Sequence, residues 1–186
     1  MIIGVDVNQL VGKHGASNQR KHSQMMREGA ELLSLRLPFG DYILVDDRIQ
    51  SIIDRLGGAE NVHKRDLRNA IILSIDTKKN LQEVVGNICS RQHERFKREL
   101  LASQGRLILL IEEADIECVE DVWFWENPRL KYNPKAVKGT SLYKSLCTIR
   151  DEYGVEIRFC DRRETGREII KILKEGRHEE NQARIY

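Results

Sequence analysis

Two charged residues stand two positions apart in the stretch LSIDTKKNLQEVV, residues 73–85. Asp76 ends a β-branched apolar run, and Lys78 follows it just before a helical pattern begins. Side chains at i and i+2 of a strand point to the same face, so this carboxylate and this ammonium group can share one site. The alternative interpretation is a surface ion pair, which contributes at most about 1 kcal/mol to folding stability.

A second carboxylate, that of Asp41, comes directly after Gly40 at the start of another apolar run, in LPFGDYILVDD. A glycine in this place permits a tight turn that presents the carboxylate beside the neighbouring strand. Alone, the Gly-Asp pair is typical of an ordinary β-turn. Combined with Asp76 and Lys78, it provides two acids for Mg²⁺ and a cation for a water, which are the groups that phosphodiester hydrolysis requires.

Short apolar runs alternate with helical patterns, which predicts an α/β fold with a mixed sheet and helices on its faces. The runs are IIGVD, LRL, YILV, IILSID, RLILLIEE and VEIRFCD. Met26, Ala30 and Leu33 recur at helical spacing and predict a first helix between residues 19 and 33. A helix at 92–101 turns Phe96 and Leu100 inward. Its opposite face carries a basic strip, which is either a phosphate-binding surface or a solvated helix face: Arg91, Arg95 and Arg98.

Length and composition fit one soluble globular domain over residues 1–186, and the net charge of +2 does not by itself indicate a polyanionic partner. No apolar stretch approaches the roughly 20 residues that span a membrane. The start, MIIGVDV, reads as a strand and not as a targeting peptide, so we expect a cytoplasmic protein. The four cysteines are widely spaced, which predicts reduced, mostly buried thiols and no zinc site.

An irregular segment at 123–139, WFWENPRLKYNPKAVKG, combines aromatic and basic residues. Such a surface can stack on and clamp an unpaired nucleic-acid strand. It can equally form a subunit interface, where tryptophan and arginine are favoured. The candidate residues are Trp123, Trp125, Arg129, Lys131 and Lys135.

The succession VDV, FGDYIL, SIDTKKNLQEVVGNI, a basic helix and RLILLIEE resembles the nuclease domain of the XPF-type structure-specific endonucleases, a branch of the PD-(D/E)xK superfamily. The closing YKSLCTIRDEYGVEIRFCDRRETGREIIKIL is similar to that domain's last helix, strand and helix. The resemblance implies a restriction-endonuclease-like mixed sheet flanked by helices on both faces. It also implies a Mg²⁺- or Mn²⁺-dependent DNA endonuclease that acts on branched or flap-like DNA.

Residue by residue, Asp41 matches the acid of the family's Gly-Asp motif, and Asp76 and Lys78 match the ends of its Glu-Arg-Lys motif. The resemblance implies that Asp41 and Asp76 bind the metal, that the backbone carbonyl of Thr77 completes the coordination, and that Lys78 acts on the water. Two further acids are candidates for the metal: Asp6 and Glu83.

The sequence departs from the family pattern at three places. Thr77 replaces the arginine of the motif, and Gln82 stands where the last acid is expected. Asp41 and Asp76 are 35 positions apart, because a segment at 46–69 separates motifs that are nearly a hairpin in the family. This segment is either a lid or DNA-contacting arm, or a plain surface insertion.

Relatives commonly carry a helix-hairpin-helix module, for which this chain has no room. We therefore expect a homodimer or a partner protein to supply substrate recognition. The alternatives to a flap endonuclease are a dimeric four-way-junction resolvase, a catalytically weak DNA-binding module of the same fold, and a small-molecule α/β protein with no nucleic-acid role.

Overall fold

A computed structural model describes the backbone of residues 1–10, 15–89 and 92–183, and side chains within 1–9, 18–89 and 92–177. Six strands form one mixed sheet in the order β2-β1-β3-β4-β5-β6. Their bounds are β1 Ile2–Asp6, β2 Glu31–Leu35, β3 Tyr42–Leu44, β4 Ser74–Lys78, β5 Leu107–Glu112 and β6 Glu156–Cys160. The predicted α/β class with a mixed sheet is confirmed.

Eight helices accompany these strands in the described part of the chain. They are α1 Val7–Leu10, α2 Gly15–Arg27, α3 Asp47–Arg55, α4 Lys64–Leu67, α5 Leu81–Cys89, α6 His93–Ser103, α7 Gly139–Tyr153 and α8 Thr165–Ala183. Short 3-10 turns occupy Ala59–Asn61, Val119–Phe124 and Pro128–Lys131. None of the described helices is long and apolar enough to cross a membrane.

The chain divides into two compact units, and the division falls inside β4. The first unit contains Met1–Asp76 and Arg163–Tyr186, and the second contains Thr77–Arg162. Our prediction of a single domain over 1–186 stays a prediction.

In the first unit, β1 is the centre of the strand pairing. It runs parallel to β2 and antiparallel to β3, and β3 runs antiparallel to β4. Val5, Tyr42 and Ile75 are fully buried, and α2 packs against α8. The sheet therefore places the ends of β1 and β4 on either side of the residue that precedes β3.

The first helix ends earlier than the apolar spacing predicted. Helix α2 stops at Arg27, Gly29 adopts φ +80°, and β2 has begun by Glu31, so Leu33 lies in a strand. Met26, expected on the buried face, is 55% exposed. Glycine adopts a positive φ without a Cβ penalty, which ends the helix although the hydrophobic spacing continues.

The segment 46–69 folds as part of the first unit. Asp46 caps α3, accepting hydrogen bonds from the amides of Arg48 and Ile49 at 3.1 and 3.0 Å. Four apolar side chains of the segment are buried: Ile49, Ile53, Val62 and Leu67. The segment is thus packed into the first unit through these apolar side chains.

In the second unit, β5 is buried along its whole length and runs parallel to β6. Helix α5 packs on α6, and α7 packs on the 3-10 turn Val119–Phe124. The predicted inward positions of Phe96 and Leu100 on α6 are confirmed. The thiols are more exposed than predicted, since Cys89 and Cys118 lie on the surface and Cys147 and Cys160 are half-buried.

Candidate active site

Gly40 creates the turn that carries Asp41. Its φ is +69°, and a Cβ at this position would lie 2.0 Å from Ser74 Oγ and 3.1 Å from the carbonyl oxygen of Ile75. Both the backbone conformation and the space therefore require glycine. The close approach of this turn to β4 confirms the expectation that Gly40 brings Asp41 beside a neighbouring strand.

The main chain of Asp41 is hydrogen-bonded to two strands at once. Its N–H donates to the carbonyl of Ile75 at 2.7 Å, and its carbonyl accepts from the N–H of Asp6 at 2.9 Å. Tyr42 pairs with both Val5 and Ile75, so the same register continued by one residue sets Asp41 opposite Asp6 and Asp76. Residues directly opposite in an antiparallel pair point to the same face.

Strand β4 buries all five of its residues. Asp76 is 4% and Lys78 is 7% exposed. Because side chains alternate along a strand, Thr77 points to the opposite face from Asp76 and Lys78. The threonine that replaces the family's arginine therefore leaves the face of the two charged residues unchanged.

Lys78 lies in the second unit, where its Nζ stands 5.4 Å from the centre of the Phe96 ring. An ammonium group within about 6 Å of an aromatic centroid is attracted by the negative face of the ring. Helix α6 thus provides a contact that holds the lysine near the end of β4.

The carboxylate of Asp41 is oriented by a two-step hydrogen-bond chain from the N-terminal helices. Gln9 Nε2 donates to Asp41 Oδ1 at 2.6 Å. Asn18 Nδ2 donates to Gln9 Oε1 at 2.8 Å and to the Gln9 carbonyl at 2.9 Å. Because Asn18 occupies the oxygen of the Gln9 amide, the nitrogen of that amide faces Asp41.

Asp6 is buried, and its carboxylate accepts hydrogen bonds from nearby residues of α1 and of the turn after β2. Oδ1 accepts from the N–H and Nδ2 of Asn8, at 3.0 and 2.6 Å. Oδ2 accepts from the N–H of Leu37 at 3.0 Å. These bonds hold the start of α1 and the turn after β2.

Glu83 and Gln82 lie in the first turn of α5. Glu83 Oε2 accepts from the N–H of Lys79 at 2.8 Å, which ties the helix to the end of β4. The Gln82 amide donates to Asn127 Oδ1. The glutamine found where the family has an acid therefore makes a link to the segment 123–139.

The described residues include no group of three or more His, Cys, Asp or Glu side chains arranged to hold a metal ion. The carboxylates of Asp41 and Asp76 nevertheless offer hard oxygen donors. Mg²⁺ is usually bound by one or two carboxylates, with waters and substrate oxygens completing its octahedron. The donor chemistry of Asp41 and Asp76 fits such an ion.

Residues 15–173 match the ERCC4 domain. The chain belongs to the ERCC4 domain family. The match includes Asp41, Asp76 and Lys78, whereas Asp6 and Gln9 precede it. No protein with curated annotation matches the chain.

Two solved structures of XPF from Aeropyrum pernix resemble this ERCC4 domain. The first has a TM-score of 0.53 at 14% identity and covers 94% of this chain and 60% of its own. The second, a complex with DNA, has a TM-score of 0.54 at 15% identity and covers 93% and 63%. This ERCC4 domain therefore spans less than two thirds of those chains, and the predicted resemblance to the XPF-type nuclease domain is confirmed.

The remaining predicted residues lie on surfaces of the ERCC4 domain. Arg95 and Arg98 are exposed on α6, and Arg91 lies outside the described residues. In the segment 123–139, Trp125 is half-buried, and the other predicted residues are exposed: Trp123, Arg129, Lys131 and Lys135.

Sequence reasoning missed the polar side chains that α1 and α2 direct into the first unit. Gln9 and Asn18 reach Asp41 as described, and His22 Nε2 lies 3.2 Å from the hydroxyl of Tyr42. Lys21 Nζ lies 5.7 Å from the centre of the Tyr42 ring. The available signal was a helix whose buried positions are polar, which hydrophobic spacing does not detect.

Proposed function

We propose that this ERCC4 domain is a metal-dependent DNA endonuclease that hydrolyses phosphodiester bonds. The observation that carries the proposal is the main-chain link from Asp41 to β4, which sets a turn carboxylate beside the strand that bears Asp76 and Lys78. Membership of the ERCC4 domain family supports the same reaction.

In this proposal Asp41 and Asp76 hold Mg²⁺ or Mn²⁺ together with the carbonyl of Thr77. A bound divalent ion neutralises charge on phosphoryl oxygens and lowers the pKa of a bound water. Lys78, on the same face of β4 as Asp76, orients the attacking water. We leave Asp6 and Glu83 out of the metal set, because their carboxylates accept hydrogen bonds from backbone amides.

We further propose that the substrate is branched or flap-like DNA. The XPF structure solved with DNA supports DNA as the ligand of this fold. Substrate recognition would be completed by a second copy of the chain or by a partner protein, and we place the reaction in the cytoplasm.

The test measures cleavage and binding separately on labelled flap, duplex and single-stranded DNA in Mg²⁺ and in Mn²⁺. Asp41→Asn and Asp76→Asn should each lower the cleavage rate by on the order of 100-fold or more while the protein still binds DNA. Asp54→Asn, which changes an exposed aspartate on α3, is the matched control and should cut normally. Binding without cutting by the unmodified protein in both metals would contradict the proposal and favour a DNA-binding module.

A further inference from the structure

The segment 123–139, called the aromatic segment below, concentrates exposed aromatic side chains. Phe124 is 81%, Tyr132 is 90% and Trp123 is 43% exposed. These are three of the six exposed large hydrophobic residues in the part of the chain that the structure describes. Two of the three, Phe124 and Tyr132, were not among the residues that the sequence singled out.

The aromatic segment is anchored by Asn127, which is 2% exposed. Asn127 Nδ2 donates to the carbonyl of Val137 at 2.7 Å, and its Oδ1 accepts from the N–H of Arg129 at 2.9 Å. The same oxygen accepts from the Gln82 amide of α5. One buried side chain therefore ties the part of the segment that follows it to the helix that begins three residues after Lys78.

Two further contacts fix the beginning and the end of the aromatic segment. A Cβ at Gly139 would lie 2.5 Å from the carbonyl oxygens of both Val122 and Trp125, so glycine lets α7 start directly against the segment's backbone. The Trp123 ring meets the Tyr143 ring of α7 edge to face, with centroids 5.5 Å apart. The exposed rings thus stand on a fixed base, which lowers the entropy lost when a ligand binds them.

The exposed charged side chains of the aromatic segment are one acid, Glu126, and four bases that lie within residues 128–138. This stretch contains Arg129, Lys131, Lys135 and Lys138 and no acid. Lysine is depleted at protein–protein interfaces, whereas lysine and arginine between aromatic rings are typical of surfaces that bind single strands. The charge pattern therefore favours a polyanionic ligand over a protein.

We propose that the aromatic segment binds an unpaired DNA strand, with Phe124 and Tyr132 stacking on bases and Lys131 and Lys135 contacting phosphates. This inference rests on the proposed function. It extends that function by identifying the unpaired part of the DNA substrate as the part that this chain binds. The Asn127 to Gln82 link connects that strand to the helix that follows Asp76 and Lys78.

The experiment measures binding of a fluorescent 12-nucleotide oligo(dT) and of a 12-bp duplex by anisotropy, in EDTA so that no cleavage occurs. The double variant Phe124→Ala/Tyr132→Ala should bind the single strand about 30-fold more weakly and the duplex within about twofold of the unmodified protein. Leu101→Ala, which removes another side chain that is 57% exposed in the second unit, is the matched control and should change neither affinity. Thermal unfolding of each variant checks that the fold is retained, as expected for side chains this exposed.

Lys131→Gln/Lys135→Gln provides a second readout. It should reduce the slope of log K against log salt by about 1.4 for the single strand, since each phosphate contact contributes about 0.7. Unchanged single-strand affinity in the aromatic variant would overturn the inference. A loss of self-association in sedimentation velocity, with single-strand affinity retained, would overturn it in favour of an interface between copies.

The binding measurement tests the aromatic segment independently of catalysis. If the unmodified protein binds oligo(dT) through Phe124 and Tyr132 but cuts nothing in Mg²⁺ or Mn²⁺, the proposed function fails and the strand-binding surface stands. If it cuts DNA and the aromatic variant binds and cuts normally, the surface fails and the proposed function stands.

Discussion

Gln9 Nε2 donates to Asp41 Oδ1 at 2.6 Å, and Asn18 holds the opposite end of the same amide. The two residues come from α1 and α2, so the N-terminal helices fix the direction of a carboxylate that lies 32 positions further along the chain. Mutating a partner that orients a metal-binding group typically lowers metal affinity or activity by about 10–100-fold. Gln9 is therefore a positioning residue for the proposed metal site.

Replacing Gln9 with alanine should raise the Mg²⁺ concentration that gives half-maximal cleavage by about tenfold, because Asp41 would lose the bond that orients it. The rate at saturating Mg²⁺ should fall less. A metal titration of cleavage rates separates the two effects. Gln50→Ala is the matched control, since it deletes a similar 2.8 Å bond from an amide to Asp54 on the exposed face of α3. Equal metal dependence in the two variants would remove the positioning role.

Gly40→Ala should lower the free energy of unfolding by roughly 2–3 kcal/mol, because it combines a left-handed backbone with a clash against Ser74 Oγ. Gly29→Ala separates the two causes. Gly29 has a similar φ of +80° but nothing within 4 Å of its added Cβ, so only about 1 kcal/mol should be lost there. Ser74→Ala combined with Gly40→Ala should recover part of the difference. Urea unfolding measures all of these, and equal losses at the two glycines would contradict the clash.

The sequence was sufficient to predict the strands around Asp41 and Asp76, because each is an apolar run bounded by a turn signal. Gly40 could be recognised because it forms part of the turn signal before Asp41. Gln9 was not, since its bond to Asp41 depends on how α1 leaves the sheet, and no spacing in the sequence encodes a contact between residues so far apart. The exposure of Phe124 and Tyr132 was equally hidden, because Phe124 ends one 3-10 turn and Tyr132 directly follows another. Such turns lack the regular repeat from which buried faces are inferred.

His22 should make the protein less stable as the pH falls below about 7. Burial lowers the pKa of His22, and the adjacent Lys21 charge lowers it further. The unfolded chain therefore binds a proton near pH 6.5 while the folded protein still has a neutral ring. Between this pH and the lower pKa of the folded state, the free energy of unfolding falls by up to about 1.4 kcal/mol for each unit that the pH drops. The loss stops once the pH drops below the folded pKa. Denaturant unfolding from pH 7.5 to 5 should show a shallower slope for His22→Gln, and His93→Gln, at an exposed position, should keep the original slope.

Arg95 and Arg98 should increase DNA affinity by contacting phosphates and should take no part in catalysis, since both are exposed on α6. Arg95→Gln/Arg98→Gln should reduce the slope of log K against log salt for duplex DNA by about 1.8, because each phosphate contact releases about 0.9 of a counterion. The cleavage rate at saturating DNA should stay unchanged. Arg150→Gln/Arg167→Gln removes the same charge from α7 and α8, where these arginines pair with Asp151 and Glu164, so this control should leave the slope as it is. If both double variants lower the slope equally, net charge alone governs binding and α6 is an ordinary solvated helix face.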